Sequence, residues 1–200
     1  MTDSKIKISI IDYGAGNVKS IGNMLEYLGV SYKITPDKEE ILKSDKVIFP
    51  GQGHFEQAIK KLKSNDMISF IQDITSSGKE FLGICLGLQV LFEKSEEAPN
   101  VEGLKIFKGD VRKFTKGKTP QIGWSKIRTT SANTLLSDDY YYFVNSYFIN
   151  PLDKNIISSF AHYYMDFASG VEYKNITAVQ FHPEKSSIKG MEFFKNWLNK

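Results

Sequence analysis

Only one cysteine, Cys85, occurs in the 200 residues, which rules out an intramolecular disulfide and suits a reducing compartment. No apolar run is long enough to span a bilayer, and the stretch from Met1 to Ile11 lacks the apolar core of a secretory leader, so a cytoplasmic location and no membrane contact are expected. Histidine is scarce, with only His54, His162 and His182, and neither a metal nor a cofactor is expected. Neither sign of charge is in large excess. A net charge of +3 is too small to argue for nucleic acid. The basic residues thicken at Lys105, Lys108, Arg112, Lys113, Lys116, Lys118, Lys126 and Arg128, a pattern that reads as a solvated face rather than a docking patch for an acidic partner or phosphate. Repeats, low-complexity linkers and composition breaks are absent. With 41% hydrophobic residues, the chain supports one sizeable core, and a single domain over 1–200 is expected.

What is present is an alternation of short apolar strands and helical patterns. Lys5 to Ile11 reads as a strand that ends in Asp12-Tyr13-Gly14-Ala15-Gly16-Asn17; Val18, Ile21, Met24, Leu25 and Leu28 then recur at helical spacing until Gly29 stops them. A second strand is expected near Ser31 to Ile34, a short helix over Lys38 to Leu42, and a third strand at Val47-Ile48-Phe49, closed by Pro50-Gly51-Gln52-Gly53. Helices follow over Phe55 to Leu62 and Met67 to Thr75, before the strand that carries Cys85. This order predicts an α/β fold with three layers: a mostly parallel central sheet, with helices on both faces. From Gly109 the pattern shifts to short strands at Asp110–Phe114, Trp124–Arg128, Tyr140–Ser146, Ile157–Tyr163 and Ile176–Phe181, expected to form an antiparallel C-terminal extension, capped by a helix over Ile188–Leu198. Ligands of such sheets bind outside the carboxyl ends of the strands.

Phe81-Leu82-Gly83-Ile84-Cys85-Leu86-Gly87-Leu88-Gln89 places the cysteine between glycines where a strand gives way to a helix-compatible segment. It reads as a nucleophile elbow: the side chain stands at the top of the sheet, glycines allow close backbone approach, and free N–H groups of a helix starting at Leu86 favour an anionic sulfur. A buried core cysteine fits the same spacing. Val179-Gln180-Phe181-His182-Pro183-Glu184-Lys185-Ser186 supplies a base and a carboxylate two residues apart. In extended backbone both point to one side, so His182 can face the thiol with Glu184 behind it, the layout of a Cys-His-acid triad, although a satisfied surface or core histidine fits an isolated pair of this kind as well. His54 and His162 have no such partner two residues on.

Gly51-Gln52-Gly53 reads as a backbone donor loop, or as an ordinary strand-to-helix turn. Gly14-Ala15-Gly16 does not make a dinucleotide fingerprint, because Lys19 stands where the third glycine belongs.

Taken together, PGQG at 50 to 53, GICLGLQ at 83 to 89 and QFHPEKS at 180 to 186 resemble, in that order, the class I (triad type) glutamine amidotransferases. Within that family IIDYGAGN at 10 to 17, PQIGWSKI at 120 to 127 and YYFVNSYF at 141 to 148 are similar to the branch that serves as glutaminase subunit of imidazole glycerol phosphate synthase in histidine biosynthesis. The resemblance implies a glutaminase in which Cys85 attacks the side-chain amide of glutamine, His182 protonates the departing ammonia and later activates water, and Glu184 orients His182. It further implies an oxyanion site at the N–H of Leu86 and of Gly51 or Gln52, and substrate contacts at Gln89 and the backbone of Asn145, Ser146 and Tyr147. A heterodimer with a (β/α)8 cyclase subunit that receives the ammonia is implied too, with Tyr13, Asn17, Gln121, Gly123 and Trp124 on the partner face. Four residues depart from the family pattern: Gln52 stands for an apolar residue, Gln121 and Asn145 each for a histidine, and Ser125 for an asparagine. Other readings are a paralogous subunit that feeds ammonia to a synthetase modifying cell-surface sugars, a catalytically quiet interaction module, and a peptide-directed cysteine hydrolase.

Overall fold

The structure, a computed structural model, describes residues 6–131 and 134–200. Its elements follow in the order β1 (Ile8–Ile11), α1 (Val18–Tyr27), β2 (Tyr32–Thr35), α2 (Lys38–Leu42), β3 (Lys46–Phe49), α3 (Phe55–Ser64), α4 (Met67–Ser76), β4 (Glu80–Ile84) and α5 (Leu86–Gln89). Then come β5 (Phe92–Ser95), β6 (Phe107–Lys113), β7 (Gln121–Thr129), β8 (Tyr140–Asn145), β9 (Tyr147–Pro151), β10 (Ile157–His162), β11 (Asp166–Tyr173), β12 (Ile176–Val179) and α6 (Ser187–Leu198). The strand expected from Lys5 starts at Ile8, and Lys5 itself lies outside the described residues.

The sheet runs β2-β1-β3-β4-β12-β11-β10-β7-β8, with β5, β6 and β9 branching from β11. Strands β2, β1, β3, β4 and β12 are parallel, and β11, β10, β7 and β8 continue antiparallel. One expectation is corrected here. The strand expected over Ile176–Phe181 does not belong to the antiparallel extension alone, because β12 lies parallel to β4, with Val179 opposite Ile84. It is the fifth parallel strand, and this brings its C-terminal end beside the end of β4. Three further strands, β5, β9 and β11, join those read from the sequence.

Alternation along the strands divides the core in two. Val47, Phe49 and Phe81 pack with Ile41 of α2, with Phe55, Ala58 and Leu62 of α3 and with Ile71 and Ile74 of α4 on one face. Ile48, Leu82, Ile84 and Val179 pack with Ile21 and Leu25 of α1 and with Phe193, Phe194 and Trp197 of α6 on the other. Strands buried on both faces lose the polar alternation of a half-exposed sheet, as β3 does, all four of its residues being buried.

Local chemistry sets the helix starts. The Asn17 side chain accepts from Ser20 N at 3.3 Å and caps α1, and Asp37 caps α2 by accepting from Glu39 N at 2.8 Å. His54 caps α3, its Nδ1 accepting from Glu56 N at 3.3 Å, so this histidine has a structural role. Gly29, at φ +72°, follows the end of α1 in the left-handed conformation that glycine adopts without strain.

Candidate active site

Parallel pairing of β4 and β12 decides what meets at the top of the sheet. Cys85 N donates to Val179 O at 2.8 Å, and the chain beyond β12 reaches His182 three residues later. Cys85 itself has φ 55° and ψ −112°, a left-sided backbone conformation unusual for a side-chain-bearing residue and expected of a nucleophile held on a sharp turn. It caps α5, a single turn of four residues, so the polarised groups near the sulfur are the free N–H groups of that turn rather than a long helix dipole.

His182 is buried, and its Nδ1 lies 2.8 Å from Glu184 Oε1, whose side chain is 1% exposed. The other carboxylate oxygen, Oε2, is buried without a hydrogen-bond partner among the described residues, so the only bond of this carboxylate there is to the imidazole. Burial on its own would lower the His182 pKa. The charge and hydrogen-bonding capacity of the Cys85 sulfur, together with the bond and charge of Glu184, outweigh it and push the ring up to about 10. An imidazole that holds its proton beside the sulfur has one to give to a leaving group.

Further bonds hold this arrangement. His182 N donates to Tyr142 O at 2.9 Å, Ser186 Oγ donates to His182 O at 2.7 Å, and Tyr142 N donates to Ser186 Oγ at 3.0 Å, fastening β8 to the turn that carries the base. On the sulfur itself, Sγ lies 4.0 Å from Val144 O and 3.7 Å from Gln180 Nε2, an acceptor and a donor.

A cavity of about 300 Å³ opens beside Cys85, lined by Gln52, Gly53, Leu86, Gln89, Asn145, Ser146, Tyr147 and His182. It therefore gathers most residues that the sequence assigns to the oxyanion and substrate contacts. Gln89 Nε2 donates to Tyr147 O at 3.1 Å, and Asn145 Nδ2 donates to the same oxygen at 3.0 Å. Ser146 O accepts from Phe114 N at 3.1 Å, which ties the turn between β8 and β9 to the residue after β6. Burial pushes the Tyr147 phenol up, reinforced by the Glu97 and Glu96 carboxylates.

The loop at 50–53 lies directly on α5. A Cβ on Gly51 would come within 2.4 Å of Gly87 N, and one on Gly87 within 2.2 Å of Phe49 O. Glycine at 51 is thus required by close approach, while Gly53, at φ +102° in open space, supplies the unusual backbone angle. Gly16 presses on the same loop, with its Cβ position 3.3 Å from Pro50 Cβ.

The residues assigned to a partner face divide. Trp124 is 51% exposed and meets Tyr142 edge-on at 5.9 Å. Asn17 and Gly123 are half-buried. Tyr13 and Gln121 are each 2% exposed, so their side chains lie inside the free chain. Burial, with a further contribution from Cys85, raises the Tyr13 phenol far above its ordinary range, and its hydroxyl has no hydrogen-bond partner among the described residues.

Two charged residues at the cavity escaped the sequence reading. Glu97 and Lys185 both line it, and Glu97 Oε2 also accepts from Phe55 N at 2.7 Å. Glu97 follows Glu96 in the chain, and only the fold shows which of the two lines the cavity. Among the described residues no cluster of three or more histidine, cysteine or acidic side chains could hold a metal, and no helix is long and apolar enough to cross a membrane.

Comparison with known proteins places the chain in one family. Residues 9–200 match the family model for glutamine amidotransferase class-I. The imidazole glycerol phosphate synthase subunit HisH of Bacillus cereus (strain G9842) is 40% identical over 195 residues, spanning 95% of this chain and 93% of that protein. The HisH subunit of Caldanaerobacter subterraneus subsp. tengcongensis is 42% identical, spanning 95% and 96%, and HisH 1 of Methanococcus maripaludis is 39% identical, spanning 96% and 98%. A crystal structure of a glutamine amidotransferase shares the fold with a TM-score of 0.77 at 16% identity, over 96% of this chain and 97% of that one. PurLQS from Thermotoga maritima does so with 0.75 at 18% identity, over 98% of each. The family match over residues 9–200, with relatives at about 40% identity over nearly the whole chain, establishes that the chain belongs to the class-I glutamine amidotransferases.

Proposed function

We propose that this chain is the glutaminase subunit of an imidazole glycerol phosphate synthase: it hydrolyses glutamine and passes the ammonia to a cyclase subunit. The observation that carries the chemistry is the Cys85, His182 and Glu184 arrangement, with its raised imidazole pKa, at the mouth of a cavity sized for an amino acid. The pathway rests on the HisH relatives at about 40% identity over nearly the whole chain.

In this reading the Cys85 thiolate attacks the side-chain amide carbon of glutamine. The C=O electrons move onto oxygen, and the oxyanion is met by the N–H of Leu86 and one N–H from Gly51 or Gln52. The His182 imidazolium gives its proton to the amide nitrogen, the C–N bond breaks, and ammonia leaves a γ-glutamyl thioester. Neutral His182 then takes a proton from water, the hydroxide adds to the thioester carbon, and glutamate departs as Cys85 and His182 return to their ion pair. Glu184 holds one tautomer and stabilises the imidazolium. Glu97 and Lys185 both line the cavity and offer it charges of opposite sign, as a zwitterionic substrate needs.

A partner surface is supported by exposed apolar side chains on the β7–β8 hairpin, where Ile122 (64%), Trp124 and Tyr140 (54%) form a patch near the cavity. One observation favours a second reading, a paralogous subunit serving a sugar-modifying synthetase. Three of the four departures from the family pattern form one contact group, since Gln121 pairs across strands with Asn145 and its Nε2 donates to Ser125 Oγ at 2.6 Å.

Glutamate release, measured for the purified chain alone and with a histidine-pathway cyclase subunit and its ribonucleotide ligand, separates the readings. Strong stimulation by that cyclase supports the proposal. Glutaminase activity indifferent to it supports the paralogue, and no release in any mixture contradicts both.

A further inference from the structure

Gln180 is fully buried at the end of β12, and the catalytic scheme has not used it. Its backbone N–H donates to Ser169 O at 2.8 Å, fixing the main chain. The side chain bridges two functional groups: Nε2 donates to Cys85 Sγ at 3.7 Å, and Oε1 accepts from Gln89 Nε2 at 2.9 Å. Gln89 Nε2 also donates to Tyr147 O, so both of its N–H bonds are spent inside the protein and only its oxygen is left for the cavity that Gln89 lines. The network fixes both amides. Turning Gln180 over would set its oxygen against the sulfur and its N–H groups against those of Gln89.

We propose that Gln180 is a positioning residue with two roles: its N–H stabilises the Cys85 thiolate from inside the sheet, and its oxygen turns Gln89 so that an acceptor faces the ammonium of the substrate. The inference rests on the reading of Cys85 as the nucleophile. The sulfur has a partner for each protonation state, since the thiol S–H is directed at Val144 O and the thiolate accepts from Gln180. A donor to an ionised acceptor gains strength in a buried site, where water does not compete.

Two substitutions separate the roles. Gln180→Met removes both bonds at similar volume. Gln180→Glu keeps an acceptor for Gln89 and replaces the donor beside sulfur with oxygen. The readouts are the rate of Cys85 alkylation by iodoacetamide at one neutral pH, and KM and kcat for glutamine in the activated complex.

For Gln180→Met we expect alkylation to fall roughly three- to tenfold, the loss of one charge-assisted bond partly offset by a more basic thiolate, with KM raised. For Gln180→Glu we expect an equal or larger fall in alkylation and kcat, with KM within about twofold of the parent, because Gln89 stays anchored. Unchanged alkylation in a Gln180→Met protein of normal melting temperature overturns the inference, as do equal KM shifts in the two variants. If Gln180→Glu does not fold, the alkylation rate of Gln180→Met decides alone. Failure of the underlying reading looks different: Cys85→Ala would then still release glutamate, or the parent's Cys85 would not react.

Discussion

Gly51 and Gly87 lie back to back, so that neither position has room for a methyl group: a Cβ on Gly51 would fall 2.4 Å from Gly87 N. This contact seats the loop that follows β3 on the first turn of α5, next to the sulfur of Cys85. Close backbone approach thereby couples the expected oxyanion donors to the nucleophile.

Gly87→Ala should accordingly both destabilise the fold, by about 1–3 kcal/mol as overpacking does, and reduce glutamine turnover, because backbone rather than a flexible side chain must give way. Gly53→Ala should cost about 1–2 kcal/mol through its positive φ alone, there being nothing within 4 Å of the added methyl. Urea unfolding with parallel glutaminase assays checks both. Equal turnover losses in the two variants would contradict the distinction.

The imidazole of His182 should titrate near pH 10 in the folded chain, against an unfolded value near 6.5. The sign follows from linkage. A group that holds its proton more tightly when folded contributes stability that is fully present below about pH 6.5 and is lost as pH rises through about 10. Ring-proton NMR should show His182 still protonated at pH 8, and Cys85→Ala should lower its midpoint. A midpoint at or below 6.5 in the parent would refute the ion pair.

Glu184→Gln should leave the fold intact and lower kcat roughly ten- to a hundredfold, part of what general acid–base catalysis supplies as a whole. The substitution keeps a partner for Nδ1 but removes the charge that stabilises imidazolium, so the His182 midpoint should also move down. A pH–rate profile alongside the NMR titration tests this; a lower kcat with an unmoved midpoint would assign Glu184 a merely steric role.

Trp124→Ala and Ile122→Asp lie on the exposed hairpin patch and should change stability by less than about 0.5 kcal/mol. Each should weaken stimulation by the partner subunit, and the loss of a large aromatic anchor should cost about 2 kcal/mol or more in its affinity. Melting curves and a titration of glutaminase activity against the cyclase subunit measure the two effects. Undiminished stimulation in both variants would place the partner elsewhere.

The parallel half of the fold was legible because strands buried on both faces read as apolar runs and the helices between them carry a 3.6-residue period. What stayed hidden depends on partners distant in sequence. In β11, Ala168-Ser169-Gly170 shows little β propensity, yet small residues are needed there: a Cβ on Gly170 would come within 2.9 Å of both Ser158 Oγ and Ser159 Oγ. The segment expected as one strand over Tyr140–Ser146 ends at Asn145, and a new strand begins at Tyr147, whose carbonyl is then free to accept from Gln89 and Asn145. Local spacing marked Cys85, His182 and Glu184 as candidates, and the three motifs in register selected the triad reading over a core cysteine and an ordinary histidine. Gln180 and Glu97 could not, because their roles come from contacts with residues 42 to 95 positions away.

The central claim is that the Cys85 sulfur carries the γ-glutamyl group between the two half-reactions. The most direct measurement is the mass of the Cys85-containing peptide after the activated complex is mixed with glutamine and quenched rapidly in acid. One γ-glutamyl group on Cys85, absent when glutamine is omitted and absent in Cys85→Ala, is the predicted result. Glutamate released at full rate from Cys85→Ala, with no adduct on the parent peptide, would contradict it.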